Sequence, residues 1–132
     1  MRPIRALLSL ALVGLAAGCG GGGDSGPTPG VLALTLNTPN TGDGALLFRV
    51  NGGPVDSVAG SAMVLDGSYH TFPGNLTRVV VAGPITDGII AFLFVPDVGA
   101  VANYVVTMEQ VAANSNFAQR STAGYSITVS VQ

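Results

Sequence analysis

Short runs of alternating apolar and polar residues begin at Val31 and continue to the end of the chain. Alternation with a period of two is typical of half-buried β-strands, because successive side chains of a strand point to opposite faces. Leu32, Leu34 and Leu36 share one face of the first predicted strand, and Val131 is expected on the buried face of the last one. The pattern predicts strands over residues 31–37, 45–50, 76–82 and 124–132.

Residues 88–95 form an uninterrupted apolar run that includes Phe92 and Phe94. A strand that is apolar on both faces is typical of a central position with a layer on each side. We therefore expect this strand to be covered on both faces, with Phe92 or Phe94 in the core between two sheets.

A β-hairpin is predicted around Asp66-Gly67, which separates strand-like runs over residues 61–65 and 68–72. Asp-Gly is favoured in type I′ turns, where both central residues need a positive φ. The segment Pro73-Gly74-Asn75 is expected to end that hairpin, and Gly83-Pro84 is expected to form a break or a bulge.

Two other segments allow more than one interpretation. Residues 55–58 form either a short strand or a loop. Over residues 102–113 the alternation suits a strand, whereas the composition of the second half suits a helix. We favour a strand that ends in a helical turn near Ala112, and the choice between strand and helix stays open here.

These segments give eight or nine strands with closely spaced turns and no convincing helix. Such a pattern predicts an all-β fold, a single antiparallel β-sandwich over residues 31–132. Residues 19–30 are rich in Gly and Pro and have almost no apolar side chain to bury, so they are predicted to form a flexible tether. A phosphate-binding loop is excluded there because no strand precedes the glycines, no helix follows and no Lys is present.

The first nineteen residues have a different character. Arg2 and Arg5 precede an apolar run over residues 6–15, which is too short for a spanning helix of ~20 residues. Small residues then lead to Cys19, the only cysteine. This stretch resembles a bacterial lipoprotein signal peptide, residues 1–18, with its lipobox, and departs from the usual pattern at Ala16, where Leu is commoner. The alternative is a plain secretory signal with a chance cysteine.

The resemblance implies cleavage before Cys19, a diacylglyceryl thioether on its sulfur and acylation of the new amino group. The protein would then be exported to the cell envelope and held to a membrane through the lipid on Cys19. The residue that follows is Gly20 rather than Asp, and in Gram-negative lipoproteins this implies delivery to the outer membrane.

The acidic net charge of the chain makes nucleic acid an unexpected partner. Beyond the signal segment, three arginines stand against seven carboxylates, and the chain has no lysine. Nucleic-acid binding needs clustered basic residues, so no nucleic-acid partner is expected. With Cys19 acylated, no disulfide can form within the domain, which must be stabilised by its core.

Residues suited to catalysis or metal binding are scarce. His70 is the only histidine and Glu109 the only glutamate, so neither a zinc site nor a carboxylate pair is predicted. We expect no enzyme activity, no cofactor and no metal. Aspartates occur singly beside turn formers, and turns account for them better than a calcium site does. They are Asp43, Asp56, Asp66, Asp87 and Asp97.

Candidate ligand contacts are limited to Tyr69 and Phe117. The globular part resembles immunoglobulin-like and cohesin-like β-sandwich modules in strand count and in the apolar strand that follows a Thr-Asp-Gly turn, although no recognition motif can be mapped. Because the chain is predicted to be an anchored sandwich without catalytic groups, we expect a non-catalytic envelope module that binds a protein or gives structural support. A carbohydrate-binding module for an envelope polysaccharide is the alternative, which an exposed aromatic row on one sheet would favour. A hydrolase would need His70 beside a Ser and a carboxylate.

We predict that wild-type protein carries acyl chains and sediments with the outer membrane. Cys19→Ala should lose the acyl mass and leave the membrane fraction, because nothing else in the chain is expected to anchor it. Mass spectrometry and density-gradient fractionation check both effects. A mature wild-type protein that still begins at Met1 would contradict the lipobox interpretation.

Overall fold

The computed structural model describes residues 26–132, which fold into nine β-strands and one 3₁₀ helix. The predicted all-β class is confirmed. Predictions on residues 1–25, including the signal segment, Cys19 and most of the tether, lie outside the described residues. The strands are β1 (Gly30–Asn37), β2 (Asp43–Asn51), β3 (Ser57–Gly60), β4 (Asp66–Phe72), β5 (Leu76–Ile85), β6 (Gly88–Val95), β7 (Val105–Ala113), β8 (Gln119–Arg120) and β9 (Ser126–Val131).

Two antiparallel sheets pack against each other as a sandwich. One has the strand order β3-β6-β1-β9 and the other β4-β5-β2-β7-β8. Their facing sides carry the residues that alternation predicted, such as Leu34 of β1 and Phe48 of β2, which are both fully buried in one core. Each such side chain contributes ~1.5–3 kcal/mol when it leaves water, so the core accounts for stability without a disulfide.

Strand β5 continues through Gly83-Pro84 by means of a bulge. Ala45 of β2 lies opposite Ala82, whereas Asp43 lies opposite Ile85, so β5 has one residue more than β2. Gly83 has φ 153°, and a Cβ there would clash with the Met63 carbonyl oxygen. A bulge also tolerates the missing N–H of proline. The predicted break or bulge is therefore confirmed as a bulge.

The predicted hairpin at Asp66-Gly67 is wrong. Both residues belong to β4, and Gly67 lies opposite Val81 of β5. The preceding residues form a turn instead of a strand, in which the Val64 N–H donates to the Ser61 carbonyl oxygen (3.0 Å). This turn carries the chain from β3 in one sheet to β4 in the other.

The hairpin turn lies at residues 73–75, between β4 and β5. Gly74 and Asn75 have φ angles of 83° and 58°, as a tight connection requires. The turn between β4 and β5 therefore takes its positive φ angles from Gly74 and Asn75. Asp66 and Gly67 are not needed for a turn and remain extended within β4.

Only one face of β6 is buried, so the prediction that both faces are covered is wrong. Leu93 is fully buried, whereas Phe92 and Phe94 alternate with it and point to the outer face, where Phe94 is 41% exposed. Neither phenylalanine reaches the core between the sheets. Among residues 26–132 no third layer covers this sheet, which explains the exposure.

The end of β9 is also more exposed than predicted. Val131 is 52% exposed, whereas Ile127 and Val129 of the same strand pack partly against the core. β9 is the edge strand of its sheet and pairs only with β1. Its last residues therefore lie beyond the cover of the opposite sheet.

Residues 105–113 form β7, which confirms the strand interpretation of this region. The expected helical turn near Ala112 is wrong, because Ala112 is extended and lies opposite Ala45. A 3₁₀ helix, Val98–Asn103, precedes the strand. Within residues 26–132 no helix has the length and apolarity that a membrane crossing demands.

The chain enters the sandwich where β1 begins, and we call this the tether end. The Thr28 carbonyl oxygen accepts from the Val98 N–H (2.8 Å), and the Thr28 N–H donates to Asp97 Oδ1 (3.2 Å). Asp97 also caps the 3₁₀ helix by accepting from the Gly99 N–H (2.9 Å). These bonds fix the position at which the tether leaves the domain.

Tyr104 closes the core at the tether end. Its hydroxyl donates to the Pro54 carbonyl oxygen (2.6 Å), and the residue is 6% exposed. Burial raises the pKa of Tyr104, and the negative charges of Asp56 and Asp97 add to the rise. The phenol therefore remains a neutral donor that holds the loop between β2 and β3.

Leu93→Ala should lower the free energy of unfolding by ~2–5 kcal/mol, because it leaves a cavity in the core. Phe94→Ala should cost less than half of that, since this ring lies on the outer face. Urea unfolding checks the order, with Thr128→Ala as the control, an exposed position where a change within ~0.5 kcal/mol is expected. Equal losses at Leu93 and Phe94 would contradict the assignment of faces.

Candidate functional site

A fully buried carboxylate lies at the end of the sandwich opposite the tether end. Asp43 is 0% exposed. Its Oδ1 accepts from Arg120 Nη1 (2.8 Å) and the Tyr125 hydroxyl (2.7 Å), and its Oδ2 accepts from the Thr38 hydroxyl (2.7 Å). Because these donors come from the segments after β1, within β8 and before β9, the carboxylate joins the two sheets.

This buried cluster is suited to holding structure together. The hydrogen bond from Arg120 to Asp43 raises the pKa of the Arg120 guanidinium. Burial lowers that pKa, but by less. Arg120 Nη1 also donates to the Thr41 carbonyl oxygen (2.8 Å). Both carboxylate oxygens are occupied by charged or hydroxyl donors, which satisfies the charge as burial demands.

A second group of charges lies on the outer face of the five-stranded sheet. Arg49 and Arg78 are opposite each other in register, and their Nε atoms lie 4.0 Å and 3.4 Å from Glu109 Oε1. Glu109 is thus a shared partner of both arginines. It is the extra residue of a bulge in β7, between the residues opposite Leu47 and Phe48.

These ion pairs leave the arginines accessible. The side chains of Arg49 and Arg78 are 46% and 50% exposed, and that of Glu109 is 20% exposed. Each guanidinium is therefore accessible to a second acceptor from solvent, whereas Glu109 Oε1 is itself buried and has these two arginines as its charged neighbours.

An aromatic group extends this surface onto β4. The rings of His70 and Phe72 meet edge to face, with centroids 4.5 Å apart and planes at 71°. The Arg78 guanidinium lies 5.9 Å from the centre of the Phe72 ring, within the range of a cation–π contact. His70 thus lies beside an aromatic ring and, across the strand pair, opposite an arginine.

The same face ends in an apolar hollow of about 350 Å³. Leu47, Val80 and Gln110 line it, and Phe117 stands at its rim with 70% of its surface exposed. We call the whole surface the platform. It comprises Leu47, Arg49, His70, Phe72, Arg78, Val80, Glu109, Gln110 and Phe117.

Phe117 has an unusual backbone conformation. Its φ is 55°, in the left-handed region that bulky residues seldom adopt. The Phe117 N–H donates to the Ala113 carbonyl oxygen (3.0 Å), which closes a tight turn after β7. Such strain costs ~1–3 kcal/mol and is concentrated at functional sites.

Tyr69, the other predicted ligand contact, lies elsewhere. It is 42% exposed in a separate groove of about 430 Å³ at the open edge between β3 and β4. Val64 and Val79 line this groove, which belongs to the inner side of the five-stranded sheet. Tyr69 and Phe117 therefore do not form one aromatic row.

The aspartates have separate positions in the fold. Asp43 is buried, Asp97 caps the 3₁₀ helix, and Asp87 Oδ1 accepts from the Thr38 N–H (2.7 Å). In the part of the chain that the structure describes, no three His, Cys, Asp or Glu residues are grouped so as to hold a metal ion.

Sequence reasoning missed both charged clusters. Asp43 was assigned to a turn, but its partners Arg120 and Tyr125 are 77 and 82 residues away. Glu109 is the only glutamate and has no partner nearby in the sequence, and the pairing of β7 and β5 with β2 places it beside Arg78. Local sequence patterns carry no signal for contacts at such separations.

Replacement of Phe117 tests its backbone strain. Phe117→Gly should be about 1 kcal/mol more favourable for stability than Asn75→Gly, because Asn tolerates the left-handed region better than Phe does. Asn75 is the matched control, since its φ of 58° is nearly the same. Thermal or urea unfolding measures the difference, and equal effects at both positions would contradict strain at Phe117.

Comparison of the chain with known proteins found no matching family model, no matching curated protein and no matching solved structure.

Proposed function

We propose that this protein is an exported lipoprotein whose β-sandwich binds a protein partner close to the membrane that holds its lipid. The platform is the binding surface in this proposal, and the lipid on Cys19 is the anchor. The domain acts as a non-catalytic module of the cell envelope.

The position of the tether determines how an anchor on Cys19 would hold the domain. Thr28 is fixed to Asp97 and Val98 at the tether end, so an anchor on Cys19 would hold that end of the domain. A flexible chain over residues 20–27, as the sequence predicts, would span roughly 14–17 Å. The platform would then remain close to the leaflet and accessible to a neighbouring envelope protein.

The composition of the platform supports a protein as the partner. It holds two of the three arginines among residues 26–132, together with His70 and the rings of Phe72 and Phe117. Arginine and aromatic residues are enriched in the energetically important centres of protein interfaces. The apolar hollow lies beside half-exposed guanidinium groups. Together they suit a partner surface on which an apolar group lies next to a carboxylate.

The single observation that carries the proposal is Phe117. A large apolar side chain is held 70% exposed, in a strained backbone conformation, at the rim of an apolar hollow. Packing within the domain does not account for that placement. Burial of the ring against a partner would.

Carbohydrate binding is the weaker alternative. Sugar-binding surfaces often use a row of exposed aromatic rings, but Tyr69 and Phe117 lie in different depressions. A hydrolase needs a base that is hydrogen-bonded to its nucleophile, whereas the His70 ring packs against the Phe72 ring and lies opposite Arg78 in register. We therefore favour protein binding.

A photoreactive phenylalanine in place of Phe117 should form a covalent adduct with an envelope protein in intact cells. The same substitution at Phe94 is the matched control, because that ring is exposed on the outer face of the other sheet. Arg78→Gln should reduce the adduct at position 117 by about tenfold if the guanidinium contributes to binding.

Mass spectrometry of the adducts decides between the candidates. An adduct specific to position 117 and containing a second protein supports the proposal. Equal adducts at positions 117 and 94, no adduct, or an adduct with a polysaccharide would overturn it.

A further inference from the structure

Strand β4 is an open edge of the five-stranded sheet. Among residues 26–132 it pairs only with β5, over residues 66–72, without a bulge in that register. All seven residues of the strand are exposed. It contains no Pro and no Lys, the residues that commonly protect an edge strand from pairing with another chain.

The two faces of β4 carry different side chains. Ser68 lies opposite Val80, so Asp66, Ser68 and His70 belong to the outer face of the sheet. Gly67 and Tyr69 alternate with them and belong to the inner face, where Tyr69 enters the groove between the sheets. An acid, a histidine, a glycine and an aromatic ring thus occur at fixed spacing on one unpaired strand.

We propose that β4 pairs antiparallel with β4 of a second copy of this chain, about a two-fold axis that passes between the two Ser68 residues. In this register Asp66 lies directly opposite the partner's His70, and Gly67 lies opposite the partner's Tyr69. The symmetry repeats both pairs, as an isologous interface requires. The two five-stranded sheets become one continuous sheet.

Side-chain chemistry selects this register. Residues directly opposite in an antiparallel pair have Cβ atoms ~4.5–5.5 Å apart, close enough for an imidazole N–H to donate to a carboxylate. The Tyr69 ring covers the space beside the partner's Gly67, a recognised way to stabilise a glycine in a strand. A shift by one residue, with the axis at Tyr69, would place Asp66 opposite Phe72 and lose both matches.

Leu65 adds a second reason for a partner. It precedes β4 directly and is 80% exposed. In the proposed register it lies opposite the partner's Thr71, at the margin of the new strand pair. Pairing would therefore cover Leu65 and Tyr69 as well as the backbone groups of the edge.

The pairing also constrains how an anchored dimer lies on a membrane. Antiparallel β4 strands place the two tether ends on opposite sides of the dimer. Both lipids reach one leaflet when the strands run along the membrane surface rather than upright. This inference does not rest on the anchor or on the proposed function, and of the platform residues it uses His70 for the pair with Asp66.

Cross-linking of full-length protein through single cysteines tests the pairing. Ser68→Cys places a thiol on the two-fold axis, so a short thiol–thiol cross-linker should give covalent dimers. Thr71→Cys is the matched control on the same strand, because its two thiols would be roughly 20 Å apart at ~3.4 Å per residue. The wild-type chain, whose only cysteine is Cys19, gives the background.

A charge exchange tests the specific pairs. His70→Asp should weaken dimerisation at least tenfold, because it places two carboxylates opposite each other. Asp66→His combined with His70→Asp restores an acid opposite a histidine and should return the dissociation constant to within about threefold of wild type. Sedimentation equilibrium in detergent measures both, and circular dichroism confirms that the variants are folded.

Three outcomes would overturn the proposal. The first is cross-linking of Ser68→Cys no faster than that of Thr71→Cys, the second is a wild type that is monomeric at every concentration, and the third is a His70→Asp variant that dimerises as well as wild type. An adduct at Phe117 in any of these cases would leave the proposed function standing. Dimers without that adduct would support the pairing of β4 and overturn the proposed function.

Discussion

One buried charge determines how the two sheets of this protein meet. Asp43 has no contact with solvent and depends on donors from Thr38, Arg120 and Tyr125. Removing a single partner of such a group is strongly unfavourable, because the charge stays buried without compensation. The ends of β1, β2, β8 and β9 therefore have to remain in one arrangement, although Cys19 is the only cysteine and no disulfide crosses the core.

That arrangement extends to Phe117, the most unusual residue of the platform. The loop that carries it begins after β7 and ends at β8, where Arg120 is held by Asp43. At its start the Asn114 N–H donates to the Gly42 carbonyl oxygen (2.7 Å), and the Ala113 N–H donates to Ala118 (2.9 Å). A strained residue persists only where its surroundings over-determine its conformation. The buried carboxylate thus contributes to holding an apolar ring in solvent.

The sequence was sufficient for the fold class and for the buried faces of β1 and β2, because alternation reports directly which side of a strand faces the core. It failed at Asp66-Gly67, where turn propensity is local but strand pairing is decided by the whole sheet. It also placed Phe92 or Phe94 in the core, because an apolar run does not reveal whether a third layer exists. The partners of Asp43 could not be predicted, since they are brought together only by the complete topology.

The open edge of β4 and the platform lie on the same sheet. Pairing through that edge would therefore also determine how the platforms of two copies are placed. In the proposed pairing the outer faces of two five-stranded sheets become continuous, so the His70 and Arg78 groups of both copies flank the new junction. A partner with two acidic sites, or two copies of a partner, would then meet two platforms at a fixed separation. Two linked sites of modest affinity bind far more tightly than one when their spacing fits. A small domain with weakly paired surface charges would in this way bind firmly without a deep pocket. A lipid tether that keeps the copies on one membrane surface would also raise their local concentration and so favour pairing of the β4 strands.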